Sequence, residues 1–161
     1  MRHVVGHDAG RVRGMTIRVG VFGAGGRMGA TVCQAVASDP ALELVAAVDP
    51  HHAGIDLRQV AKVDAPDLQV AAGPDEFLRS KVDVAVDFTV VDAARQNLAF
   101  LAEHGIHAVV GTTGFGEDDY DDLRATFSKS NCIVAPNFAI GAVLMMRFAE
   151  IAAPFFETAE I

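Results

Sequence analysis

The chain has 161 residues, of which 51% are apolar, and a formal net charge of −8, which allows one domain with a sizeable core. The acidic balance excludes a general nucleic-acid surface, which would need clustered Lys and Arg to displace counterions from phosphates. The most apolar late run, "AIGAVLMMRFAEIAAPFF", is broken by Arg147, Glu150 and Pro154 and falls short of the roughly 20 clean residues of a membrane span. Cys33 and Cys132 lie far apart without CxxC or Cys/His spacing, so neither a disulfide framework nor a zinc site is expected, and a soluble protein of the reducing cytoplasm fits best.

Residues 1–16, "MRHVVGHDAGRVRGMT", lack the apolar core of a secretion signal and read as a disordered leader. Met15, just before a natural first strand, is a candidate translation start. Five short β-branched runs follow: "IRVGVF", "LELVAAVD", "VDVAVDF", "IHAVVG" and "CIVAP". Each is nearly uniformly apolar, the pattern of parallel strands buried on both faces. Helical stretches at Met28–Ser38, Ala93–Glu103, Asp118–Ser128 and Gly141–Ala152 are expected to supply the crossovers, giving an open, doubly wound α/β sheet. The interval Pro50 to Pro74 is the least regular and is expected to hold loops and a short strand. The acidic run "GEDDYDDL", Gly116 to Leu123, is expected to be a solvated helix start that complements the helix dipole, in preference to a metal site.

The turn "GAGGRMG" joins the first strand to an amphipathic helix. Gly23, Gly25, Gly26 and Gly29 suit a tight turn whose backbone N–H groups approach a pyrophosphate, with the helix directing its positive end at the charge. Side chains at Gly23 or Gly26 would obstruct that approach. Asp49 ends the second strand about 20 residues on, where a dinucleotide fold places an acid to accept from adenosine ribose hydroxyls. An acid there repels a 2′-phosphate, and Pro50, His51 and His52 follow where an NADP site often offers Arg. NADH is therefore expected to serve at least as well as NADPH, with the histidines able to assist a phosphate when protonated. His51 and His52 lack a nearby third ligand for a metal. His104 and His107 are expected to be structural.

"GAGGRMG", "DFT", "NLAF", "HGIHAVVGTTGF" and "APNFAIG", in this order from about Ile17 to the end, resemble the dihydrodipicolinate reductase family, whose members act in diaminopimelate and lysine synthesis. The resemblance implies a Rossmann-like nucleotide domain over 17–157. It also implies pyrophosphate binding at Gly23, Ala24, Gly25, Gly26, Arg27 and Met28, and ribose binding at Asp49. Phe88 and Thr89 are placed along the cofactor, with Gly111, Thr112 and Thr113 bordering the nicotinamide. Ala135, Pro136, Asn137 and Phe138 close over it, and Thr113 also lies near a substrate carboxylate. From the residues alone, "GTTG" is equally a Gly-Thr turn, and Phe138 is as readily a core aromatic.

The family's proton-donor motif, of the form "HHxxKxDAPSGT", follows the segment matching "FFETAEI". This sequence reaches Ile161 without it, so no catalytic residue is assigned. The chain is expected to be a fragment truncated before a mixed-sheet substrate and tetramerisation domain beginning at 158–161, and to be inactive alone. The complete protein is expected to be a homotetramer using NADH or NADPH. Two other readings stay open: a non-catalytic NADH-sensing module, or another Rossmann dehydrogenase of aspartate-derived metabolism. The second would need a nucleophilic Cys, whereas Cys132 is expected to begin a buried strand.

Overall fold

The computed structural model describes residues 16–64, 67–135 and 137–156. The expected leader (bar Thr16), residues 157–161 and Pro136 lie outside them. Strands β1 (Ile17–Phe22), β2 (Leu42–Val48), β3 (Val84–Asp87), β4 (His107–Val110) and β5 (Cys132–Val134) form one all-parallel sheet in the order β2-β1-β3-β4-β5. Helices α1 (Arg27–Ser38), α4 (Val91–His104) and α5 (Glu117–Thr126) make the crossovers β1–β2, β3–β4 and β4–β5. From β1 the chain moves outward first to β2 and then, in the other direction, to β3. The doubly wound Rossmann-like architecture is the one the apolar runs imply.

Two cores follow from the two faces. On one, Val19 and Val21 of β1 and Leu44 of β2 pack with Cys33 and Val36 of α1 and with Leu57 of α2 (Leu57–Ala61). On the other, Phe22 meets Phe77 of α3 (Asp75–Arg79), and Ala85, Ala108 and Val110 pack with Leu98 and Leu101 of α4. Phe77 is fully buried, its ring centroid 4.4 Å from that of Phe22. It sits over Gly20, where a Cβ would come within 2.8 Å of the ring. The opposite end of the sheet is held by Arg18, whose guanidinium bonds Glu43 at 2.9 Å and the Ser80 carbonyl, while its backbone N–H donates to Asp83.

Two expectations need correction. The interval from Pro50 to Pro74 holds no strand among the described residues. It forms a 3₁₀ turn at Pro50–His52, helix α2, and isolated bridges Val48–Ala71 and Asp56–Gln69. Asp56 starts α2 by accepting from the Arg58 N–H, a capping preference that the polar composition disguised as loop. Burial on both faces holds for β1 and β2 only. In β3 and β4 buried and half-buried residues alternate, and in β5 Ile133 is exposed, because α4 covers a single face there. Helix α6 (Ile140–Ala152) follows β5, and its Ile140, Met145 and Phe148 lie in solvent. Among the described residues, no helix is long and apolar enough to cross a membrane.

Truncation of a fully buried Phe typically costs about 3–5 kcal/mol. Phe77→Ala is expected to lower unfolding stability by about that amount in urea titration; a loss below about 1 kcal/mol would show that α3 does not anchor the second core.

Candidate functional site

All strands point the same way, so the segments following β1 to β5 gather at one edge of the sheet. A crevice opens where the winding changes direction between β1 and β3, the place where ligands of open parallel sheets bind. Here it is a cleft of about 450 Å³ lined by Gly23, Gly26, Asp49, His51, Phe88 and Thr89, among others.

The first wall is the glycine turn. Gly23 has φ +71, and its N–H donates to the Val48 carbonyl at 2.8 Å. The Gly26 N–H then returns to the Gly23 carbonyl at 3.0 Å and α1 begins. A Cβ at residue 29 would stand 2.0 Å from the Gly23 carbonyl oxygen, and one at residue 25 would stand 2.2 Å from His52 Nδ1. Gly29 and Gly25 are thus required by contacts within the protein. At Gly26 only the Gly23 oxygen, at 3.3 Å, is near; a side chain there would project into the cleft. No side chain caps α1, and its first turn carries no acid, which leaves its N-terminal dipole and N–H groups open to an anion. Ala24 is buried, whereas Arg27 and Met28 are exposed.

Asp49 continues this wall and is only 7% exposed. Its Oδ2 accepts from the Gly25 N–H and its Oδ1 from the His51 N–H, both at 3.0 Å. His52 Nδ1 lies 3.1 Å from Oδ1, off the hydrogen-bonding axis. Burial would raise the carboxyl's pKa, but His52 and the amides of Gly25 and His51 outweigh it, and the pKa is lowered. The carboxylate therefore ties the end of β2 to the glycine turn while keeping acceptor capacity, since an ionised carboxylate offers about four lone-pair sites.

Across the cleft, Asp87 ends β3. It accepts from the Thr89 N–H at 2.8 Å, the Thr89 hydroxyl at 2.7 Å and Asn97 Nδ2 at 2.8 Å. Phe88 lays its ring on the backbone of Gly111, where a Cβ would come within 2.0 Å of a ring carbon, and approaches Phe138 at 6.1 Å between centroids. Thr112 is buried and Thr113 exposed. The Ala135 N–H donates to the Val110 carbonyl, and Asn137 Oδ1 accepts from the Ala139 N–H at 3.0 Å. Phe138 is 52% exposed, so the core alternative fails. Every described candidate residue thus lies at this edge, and of them Gly23, Gly26, Asp49, Phe88 and Thr89 line the cleft.

The sequence reading passed over Asp87 and Asn97. A carboxylate closing the apolar run "VAVD" was the available signal. His104 donates from Nδ1 to the Phe100 carbonyl, and His107 Nδ1 accepts from the Asn131 N–H, both structural uses. Cys132 is half-buried at the start of an edge strand and not in a buried one as expected; burial pushes its thiol up to about 11, far from a thiolate nucleophile. The acidic run begins α5, with Asp119 turned back to the Gly116 N–H and paired with Arg95.

Residues 17–138 match the family described as "Dihydrodipicolinate reductase, N-terminus". The chain belongs to this family. It is 48% identical over 148 residues to the 4-hydroxy-tetrahydrodipicolinate reductase of Corynebacterium urealyticum, covering 90% of this chain and 52% of the relative. With the enzyme of the same name from Nocardia farcinica it shares 48% over 150 residues, 91% of this chain and 52% of the relative. The dipicolinate-bound dihydrodipicolinate reductase of Paenisporosarcina sp. TG-14 superposes with a TM-score of 0.69 at 34% identity, covering 86% of this chain and 54% of that one. The chain spans about half the length of the curated relatives it matches.

The lowered Asp49 pKa has a defined sign. A group depressed in the folded state adds stability above its ordinary pKa of 3.8 and loses it as pH falls through the lower folded value. Thermal melts of wild type and Asp49→Asn between pH 2 and 6 are expected to differ most above pH 4 and to converge toward pH 2; parallel curves would contradict this. Gly29→Ala, which forces a carbon against the Gly23 carbonyl, is expected to cost about 1–3 kcal/mol in the same assay, and an unchanged Tm would contradict the tight turn.

Proposed function

We propose that this chain, through a dinucleotide-binding unit over 17–157, is the cofactor-holding half of a pyridine-nucleotide-dependent reductase that converts the dihydrodipicolinate species to tetrahydrodipicolinate in diaminopimelate and lysine synthesis. The observation that carries the reading is the cleft at the change of winding, where the glycine turn, the uncapped start of α1 and Asp49 form one wall, in a chain of the dihydrodipicolinate reductase family. A dinucleotide fits the residues present: glycine at residue 26 keeps the cleft open beside the uncapped start of α1, and the Asp49 carboxylate stands next to the turn.

When bound, the dinucleotide supplies hydride from its nicotinamide; the protein supplies orientation and a fixed electrostatic setting. The turn from Gly23 to Met28 holds the pyrophosphate through N–H groups and the α1 dipole. Asp49 accepts from the adenosine ribose. Phe88 and Thr89 run along the cofactor, Gly111, Thr112 and Thr113 border the nicotinamide, and Ala135 to Phe138 close over it. Exposed Thr113 offers its hydroxyl to a carboxylate of the substrate. The complete protein is read as a cytoplasmic homotetramer, and the solvent-facing apolar side chains of α6 suit burial against further polypeptide.

The Asp49 charge opposes a 2′-phosphate, which His51 and His52 offset in part when protonated. In fluorescence titrations of the chain, NADH is expected to bind at least as tightly as NADPH, and Gly26→Val, projecting into the cleft, to weaken both at least tenfold. A strong NADPH preference would overturn the cofactor assignment. Absence of binding by a folded wild-type chain would overturn the reading of the turn.

A further inference from the structure

We propose that Asp87 is a positioning residue that also sets the charge preference of the nicotinamide side of the cleft, favouring the oxidised, positively charged dinucleotide over the reduced one. This rests on the reading that the segments after β3 and β4 border the nicotinamide.

Asp87 is only 1% exposed, yet its partners are all donors. Oδ1 takes the Thr89 N–H at 2.8 Å and the Thr89 hydroxyl at 2.7 Å, and Oδ2 takes Asn97 Nδ2 at 2.8 Å. The Thr112 hydroxyl lies between the Thr89 carbonyl at 3.0 Å and Oδ1 at 3.3 Å. The three short contacts all come from N–H or O–H donors, the partners an accepting carboxylate takes. No Lys, Arg or His pairs with Asp87 among the described residues. Neutral dipoles therefore hold the charge without cancelling it, in contrast to Asp49 with His52 at its side.

Two consequences follow. The carboxylate fixes Thr89, which lines the cleft, together with Asn97 of α4 and Thr112 after β4, so one buried group aligns three elements. Its uncancelled field also reaches the same crevice through a low-dielectric interior. A reduced nicotinamide is neutral and gains nothing from that field, whereas the oxidised ring carries a positive charge. At a separation on the order of 10 Å and an effective dielectric near 20, such a pair changes an equilibrium about tenfold.

The test is calorimetric titration of the chain with NAD+, NADH and ADP, in wild type, Asp87→Asn and Asp87→Ser, each checked for folding by thermal melting. Asn keeps an acceptor for Thr89, and the Asn97 amide can rotate to meet the new NH2 group. The expected result is that NAD+ binding weakens about tenfold relative to NADH while ADP binding is unchanged. An unchanged NAD+/NADH ratio overturns the proposal, as does parallel weakening of all three ligands, the mark of a purely structural role. If neither neutral variant folds, Asp87 belongs to the fold alone and the proposal falls. A folded wild type that binds none of the three instead removes the functional reading beneath it.

Discussion

The site depends on one close approach, that of α1 to the turn that precedes it. With hydrogen in place of a side chain at residue 29, the helix can start directly against the Gly23 carbonyl. That contact aims the helix axis at the cleft and places the Gly25 N–H within 3.0 Å of Asp49. Any bulk there would move the helix start and separate the amides from the acid they share. The polypeptide geometry, more than any reactive side chain, makes this wall of the crevice suitable for a phosphate.

The two strand-end acids show how environment divides one residue type into two tasks. Asp49 is secured by two backbone amides beside an imidazole, at the outer rim, and retains room to accept from a ligand. Asp87 is sealed beneath hydroxyls and an amide and holds the segments around it in register. Both close apolar strands, because the carboxyl edge of a parallel sheet is where the chain leaves the core and polar groups find partners.

Much of this could be read in the amino-acid order. The glycine spacing, the strand before it and Asp49 about 20 residues later carry a local signal, and all five strands were visible as β-branched runs. Tertiary facts were less accessible. Whether a strand is covered on both faces depends on where helices land, so β3 and β4 read like β1 and β2 although one face is only half-buried. Asp87 gave weak notice because its partners, Asn97 and Thr112, are 10 and 25 residues away. Helix α2 was hidden in a polar stretch because five residues are too few for a clear period, and its start rests on Asp56.

The winding order also separates the cleft in sequence. Arg18 at the foot of β1 reaches Glu43 across 25 residues, but Asp83 only across 65. Since closing a flexible loop becomes costlier with the logarithm of its length, the longer connection is harder by about 1 kcal/mol. The glycine turn and Asp49 consequently belong to one compact βαβ unit closed by the shorter loop. The opposing wall is recruited from chain more than twice as distant, so the two halves of the crevice can differ in how readily they assemble during folding even though they line a single cleft.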